Sequence, residues 1–428
     1  MQLANNIPSL RHHIYDAISK QKDIARQSFR DQWSQLILRP LSKLGSGLFL
    51  SSYVLIVDAL DECDKWEHIR IILQLLAEAR TLKTVRLRVF LTSRPEIPLR
   101  HGFYQIPDTD YQDFVLHSIS PSIINHDISI FLQYSLNFIA DECSLGSGWP
   151  GEQIVERLVC SASGLFIWAA TACRFIREGK LFAAKRLDMI LESSGTAINA
   201  PEKHLDKIYL TVLRQSTSPD YTVEETEELL RILKNLLGSI VTLFSPLSTQ
   251  SLSRLVNTSQ EEVNLTLGDL HAILAIPKDQ TSPLRLHHPS FRDFLLNKNR
   301  CTDSNFWVDR KQAHQTLAHH CIQLMSACLK KDICGVALPG TRVTDIGYCR
   351  TDQCLPLEVR YACLYWVQHL QQSDAQLCDN DQVCQFLHVH LLHWLEALSW
   401  IGKTLEGILA ILSLEAQIQV SLLSRIYV

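Results

Sequence analysis

Residues 53–64 read Y-V-L-I-V-D-A-L-D-E-C-D: five apolar, mostly β-branched or aromatic positions followed by an abruptly acidic turn that begins with Asp58, Asp61 and Glu62. A continuous apolar run of this length suits a strand buried on both faces of a parallel sheet. Carboxylates at the carboxyl end of such a strand sit where open α/β sheets place their ligands. Phosphoryl-transfer sites use one carboxylate to hold Mg²⁺ and another to position the attacking water. On that chemistry Asp58 is the candidate metal ligand, and Asp61 and Glu62 are the candidates for handling water. A strand that ends in a solvated acidic turn carries the same wording.

A second stretch, residues 88–95, reads R-V-F-L-T-S-R-P, a short apolar strand ending in Thr92, Ser93 and Arg94. Between the two lies an amphipathic helix, residues 66–80, with Ile69, Ile72, Leu73, Leu76 and Ala77 on one face. Strand, helix, strand is a crossover unit that brings both polar tips to one edge of the sheet. Arg94 then stands where a cation meets a γ-phosphate. Together D-A-L-D-E-C and L-T-S-R-P resemble the Walker B and sensor-1 strands of the NACHT class of STAND nucleotide-binding switches, in particular the fungal NLR-like proteins. The strings G-L-F-I-W-A-A-T-A at 164–172 and L-D-K-I-Y at 205–209 extend the likeness.

Composition narrows the class. With 428 residues, 46% of them hydrophobic, the chain can bury two or three cores. A net charge of −4 gives no global electrostatic case for nucleic acid. Apolar residues recur at helical spacing, so the expected fold is α/β plus α, helix-dominated with one sheet-bearing portion. The thirteen cysteines include no CxxC pair, and residues 1–10 lack the apolar core of a secretory signal. Reduced thiols and a cytoplasmic setting follow as expectations. Cys328, Cys334, Cys349 and Cys354 do not fit the spacing of a paired zinc site. No apolar stretch reaches the roughly 18 residues of a membrane span.

Phosphate-cradling loops read G-x-x-x-x-G-K-[ST], and no stretch of this chain has that form. Gly45-Ser46-Gly47 is the remote candidate, with no lysine after it. In proteins resembling this one the loop lies upstream of a helix like residues 1–20. Met1 is therefore expected to fall inside the nucleotide-binding domain.

Downstream, residues 114–119 read as a further strand, 126–143 as a helix, 144–151 as a break, and 153–179 as two helices. A long amphipathic helix at 222–243 and shorter ones at 251–256 and 261–270 precede two short strands, 273–276 and 284–287. Helices followed by a hairpin make a winged helix, but residues 261–270 are acidic where a DNA-reading helix is basic. The hairpin runs into H-H-P-S-F-R-D-F-L at 287–295, which resembles the winged-helix signature of STAND proteins. By that match His288 would contact the β-phosphate of bound ADP; imidazole can donate to phosphate and titrates near neutral pH. Residues 301–428 are helical, with no repeat of period 20–50.

The resemblance implies a partial P-loop-NTPase-type parallel sheet in a NACHT domain at 1–125, a helical subdomain at 126–215, a winged-helix domain at 216–300 and a helical linker at 301–428. It implies ATP, ADP or GTP with Mg²⁺ as cofactors, Arg94 and His288 as nucleotide contacts, and signal transduction in fungal self/non-self recognition or cell death. The missing loop implies deficient nucleotide binding and negligible hydrolysis. Expected partners are proteins, by self-association or with full-length relatives, and neither nucleic acid nor membrane. The alternative is a non-enzymatic interaction scaffold.

Overall fold

A computed structural model describes residues 2–21, 24, 27–44, 51–63, 66–94, 103, 106–107, 109, 111–114, 116–146, 148–193, 201–217, 222–336, 348–375 and 381–426. The chain divides into two compact units, Met1–Ser118 and Ile119–Val428.

In the first unit, helix α1 (Pro8–Lys20) opens with proline in its first turn, where a missing N–H costs nothing. After the helical segment that ends at Ser42 come strand β1 (Ser51–Val57), helix α2 (Trp66–Glu78) and strand β2 (Val85–Leu91). The strands pair in parallel, Ser51 against Val85 through to Val57 against Leu91. Alternate residues of the pair face one way: Tyr53, Val85 and Leu87 pack with Leu10 and Leu41, while Val57 and Leu91 pack with Leu60, Ile69 and Leu73.

The other face corrects an expectation. Val54 and Ile56 are 62% and 68% exposed, so β1 is covered on one side only. Among the described residues its one strand neighbour is β2, and its helices cover a single face. Residues 114–119 are corrected too. Leu116–Ser118 is a turn of 3-10 helix, with Phe114 and Leu116 exposed and no strand beside it among the described residues.

The second unit is helical around two adjoining cores. Helices α3 (Pro121–Glu142), α4 (Glu152–Ala162), α5 (Phe166–Glu178), α6 (Ala183–Ser193) and α7 (Pro201–Gln215) enclose the first core with Ile128, Trp168, Phe175 and Tyr209. Helix α8 (Val223–Thr242) follows, started by a capping box in which Thr222 and Glu225 satisfy each other's backbone N–H groups. Helix α9 (Thr249–Leu255) is capped by Ser248, and α10 (Gln260–Leu267) has a second capping box, Ser259 with Glu262. The acids at 261–262 are thus helix-start residues. Strands β3 (Leu274–Ala275) and β4 (Arg285–Leu286) form an antiparallel hairpin, shorter than the sequence suggests, and α11 (Ser290–Leu296) follows. Helices α12 (Arg310–Cys328), α13 (Leu357–Gln372), α14 (Gln382–Trp400) and α15 (Thr404–Ile426) build the second core around Trp366 and Trp394.

Candidate functional site

The acidic end of β1 is held by the polar end of β2. Thr92 N–H donates to the Val57 carbonyl at 2.9 Å, and Leu60 N–H donates to the Thr92 carbonyl at 3.0 Å. These bonds extend the parallel ladder one step beyond the strands. Ala59 sits in the left-handed region, φ 51° and ψ 54°, and its N–H donates to the Thr92 hydroxyl at 2.8 Å. That hydroxyl donates in turn to Asp58 Oδ1. A non-glycine residue at positive φ is held there by such surrounding bonds, a kind of strain that clusters at ligand sites.

Asp61 is the second organised carboxylate. Its Oδ1 accepts from Arg94 N–H at 2.9 Å and from the Ser93 hydroxyl at 3.2 Å, and its Oδ2 lies 3.6 Å from Arg94 Nε. The Asp61 side chain is 10% exposed and that of Arg94 47%, so the pair is open to water on the cationic side. Glu62 ends the short 3-10 turn Leu60–Glu62; its side chain lies outside the described residues, as does Gly45-Ser46-Gly47. The structure therefore joins Asp58, Asp61, Thr92, Ser93 and Arg94 in one cluster. Two carboxylates, two hydroxyls and a guanidinium on one sheet edge can hold a hydrated cation and an anion side by side. Thr92 and Ser93 are the members to which the sequence reading assigned no role. Their signal is the parallel register, which sets Thr92 opposite Asp58.

His288 belongs to the second unit, between β4 and α11. Its Nδ1 accepts from Ser290 N–H at 3.2 Å and lies 2.6 Å from the Ser290 hydroxyl. Accepting at Nδ1 places the proton of the neutral ring on Nε2. The Ser290 hydroxyl is also 2.8 Å from the buried Tyr209 hydroxyl, and Tyr209 packs edge-on against Phe291 at 5.1 Å. Burial raises the Tyr209 hydroxyl above its ordinary pKa. One turn along α7, Asp206 accepts from Arg300 Nη2 at 2.7 Å and from Nε at 3.1 Å. Two strings distant in sequence, 205–209 and 287–295, thereby form one cluster. Sequence reading treats them separately because no local periodicity links residues about 80 positions apart.

A relaxed phosphate-loop wording, A-L-S-W-I-G-K-T, occurs at 397–404. It lies across the turn between α14 and α15, with Ala397 buried inside α14. Lys403 Nζ pairs with Glu406 at 2.6 Å. A phosphate cradle needs a strand, an open glycine loop and a helix. A helix precedes this turn, so the wording does not make a cradle.

Comparison with known proteins supports the same reading. The family model described as "Nephrocystin 3, N-terminal" matches residues 1–94, which hold both β-strands of the first unit and reach Arg94. Over 392 residues, 85% of this chain, the sequence is 24% identical to the vegetative incompatibility protein HET-E-1 of Podospora anserina. The chain is similar to this fungal incompatibility protein along most of its own length. It spans 26% of that relative's length. The similarity to HET-E-1 runs through both compact units, since 392 residues exceed either one alone.

Proposed function

We propose that this chain is part of a nucleotide-responsive signalling switch acting in fungal self/non-self recognition or cell death. The observation that carries the reading is the cluster at the ends of β1 and β2, where Asp58 and Asp61 meet Thr92, Ser93 and Arg94. In this reading residues 1–125 form a partial P-loop-NTPase-type sheet, 126–215 a helical subdomain, 216–300 a winged helix and 301–428 a helical linker. Asp58 holds Mg²⁺ of ATP, ADP or GTP, Asp61 and Glu62 order water, Arg94 meets the terminal phosphate, and His288 donates Nε2–H to a phosphate. The residues present fit a hydrated Mg²⁺ with an adjoining phosphate, and the ion would supply charge neutralisation there. The setting is cytoplasmic and the partners are proteins, including further NACHT-type chains. No helix among the described residues is long and apolar enough to cross a membrane.

Nucleotide affinity is expected to be weak and hydrolysis negligible, because no G-x-x-x-x-G-K-[ST] loop is present in these residues. One observation favours a second reading, a non-enzymatic scaffold: both described carboxylates already bond within the chain. Equilibrium binding of fluorescent ADP and ATP with Mg²⁺ separates the two. Saturable binding by the wild type, abolished in Asp58→Ala, is the expected result for the switch. Folded protein that binds neither nucleotide would overturn the switch reading of these residues and leave a scaffold or remnant.

A further inference from the structure

Away from the acidic cluster, the second unit buries a chain of hydrogen bonds that the switch reading does not use. Phe244, just after the end of α8, donates its backbone N–H to the Tyr361 hydroxyl on α13 at 3.2 Å. That hydroxyl is 2.7 Å from His369 Nε2, and His369 Nδ1 is 2.8 Å from Nδ1 of His314 on α12. The Phe244 ring covers both imidazoles, at 4.7 Å from His369 and 5.6 Å from His314. His314 is 3% exposed and His369 0%.

Only one proton fits between two imidazole nitrogens at hydrogen-bond distance. If Tyr361 donates to His369 Nε2, then His369 carries its proton on Nδ1 and donates to His314 Nδ1, leaving the His314 proton on Nε2. Every polar atom from the Phe244 N–H to His314 Nδ1 is then satisfied. The reverse polarity turns His369 Nε2–H toward the tyrosine oxygen and leaves that hydroxyl without this acceptor in a buried site, which is the costlier arrangement. We propose that the Phe244–Tyr361–His369–His314 relay is an acid-sensitive latch that holds the exit of α8 against α12 and α13 while both histidines are neutral, and lets go when either is protonated. Protonating His314 sets two N–H groups head to head, or reverses the relay and strands the tyrosine hydroxyl.

The surrounding groups reinforce the neutral state. Arg310 of α12 and Arg292 of α11 act on His314, and both oppose a further cation. His314 in turn acts on His369. Tyr361 feels Cys321 of α12 and Tyr365 of α13, and burial raises its hydroxyl. Burial, foremost, lowers His314 to about 4 and His369 to about 3.

Hydrogen exchange of the full chain, corrected for intrinsic rates, tests this between about pH 7.5 and 5. Peptides spanning 240–248 and 357–372 are expected to lose protection by about tenfold or more on acidification, ahead of the Trp168 core. His314→Gln offers His369 Nδ1–H a neutral acceptor that does not titrate, and should remove the His314 share of that loss while the His369 share remains. Should this variant not fold, ¹⁵N spectra of wild-type histidines decide: the latch requires His369 as the Nδ1–H tautomer and His314 as Nε2–H. Protection independent of pH, full acid sensitivity in His314→Gln, or the opposite tautomers would overturn the proposal.

Discussion

Thr92 is the residue on which the acidic cluster turns. Its hydroxyl accepts from Ala59 N–H and donates to Asp58, so one oxygen secures both the left-handed backbone and the carboxylate. Thr92→Val keeps the shape and removes the oxygen. The expected cost is about 1–3 kcal/mol, since a backbone donor loses its partner. Urea denaturation followed through the first unit measures it, and Thr92→Ser should recover most of the loss. Arg300 gives a second test. With Arg300 and Asp206 side chains only 19% and 11% exposed, Arg300→Met leaves a largely buried carboxylate uncompensated. About 2–3 kcal/mol should be lost from the second unit, less than for a fully buried pair because the guanidinium end reaches water. The double variant Asp206→Leu with Arg300→Met should recover part of it.

Among the elements, the short helix α9 shows how local chemistry and long-range packing divide the work. Ser248 accepts from Ser251 N–H at 3.1 Å, an N-cap that the sequence announces. Ser251 Oγ and Arg254 Nη1 then reach Glu358 on α13 at 2.8 Å each, contacts that no local pattern announces. Ser248→Ala is expected to cost about 1 kcal/mol in thermal or chemical unfolding. On α14, Trp394 is fully buried, packs edge-on to Trp366 at 5.4 Å, and donates its indole N–H to the Cys363 carbonyl at 2.9 Å. Trp394→Ala should therefore be severe, about 3–5 kcal/mol, with the loss read in near-ultraviolet circular dichroism of the second core.

At the scale of the molecule, stability should respond to pH from both sides. His314 and His369 fold as neutral groups, near 4 and 3 against an ordinary value of 6.5. Between those values the unfolded chain binds more protons, so stability falls as pH drops below about 6.5. Glu178 acts in the opposite sense. Burial raises its carboxyl to about 8, overriding Arg186 Nη1 at 3.7 Å, whose approach leaves Glu178 Oε2 without a hydrogen bond. The folded chain therefore binds the extra proton from about 4.5 to about 8, and stability declines as pH rises through that window. Urea midpoints of the second unit should show an acid limb blunted by His314→Gln and an alkaline limb blunted by Glu178→Gln.

The sequence by itself determined the acidic strand, the crossover helix, the second strand and the helix starts. Each is written in local periodicity or in capping residues a few positions apart. It also announced both halves of the cluster that holds His288. Tertiary structure decided the rest. Whether a strand such as β1 is covered on one face or two depends on which elements arrive beside it, and Y-V-L-I-V is apolar in either case. The joining of Tyr209 to Ser290, of Glu358 to Arg254 and of His314 to His369 depends on helices brought together across 55–104 residues. Buried polar groups must find partners wherever the packing puts them, and that packing is a property of the whole chain.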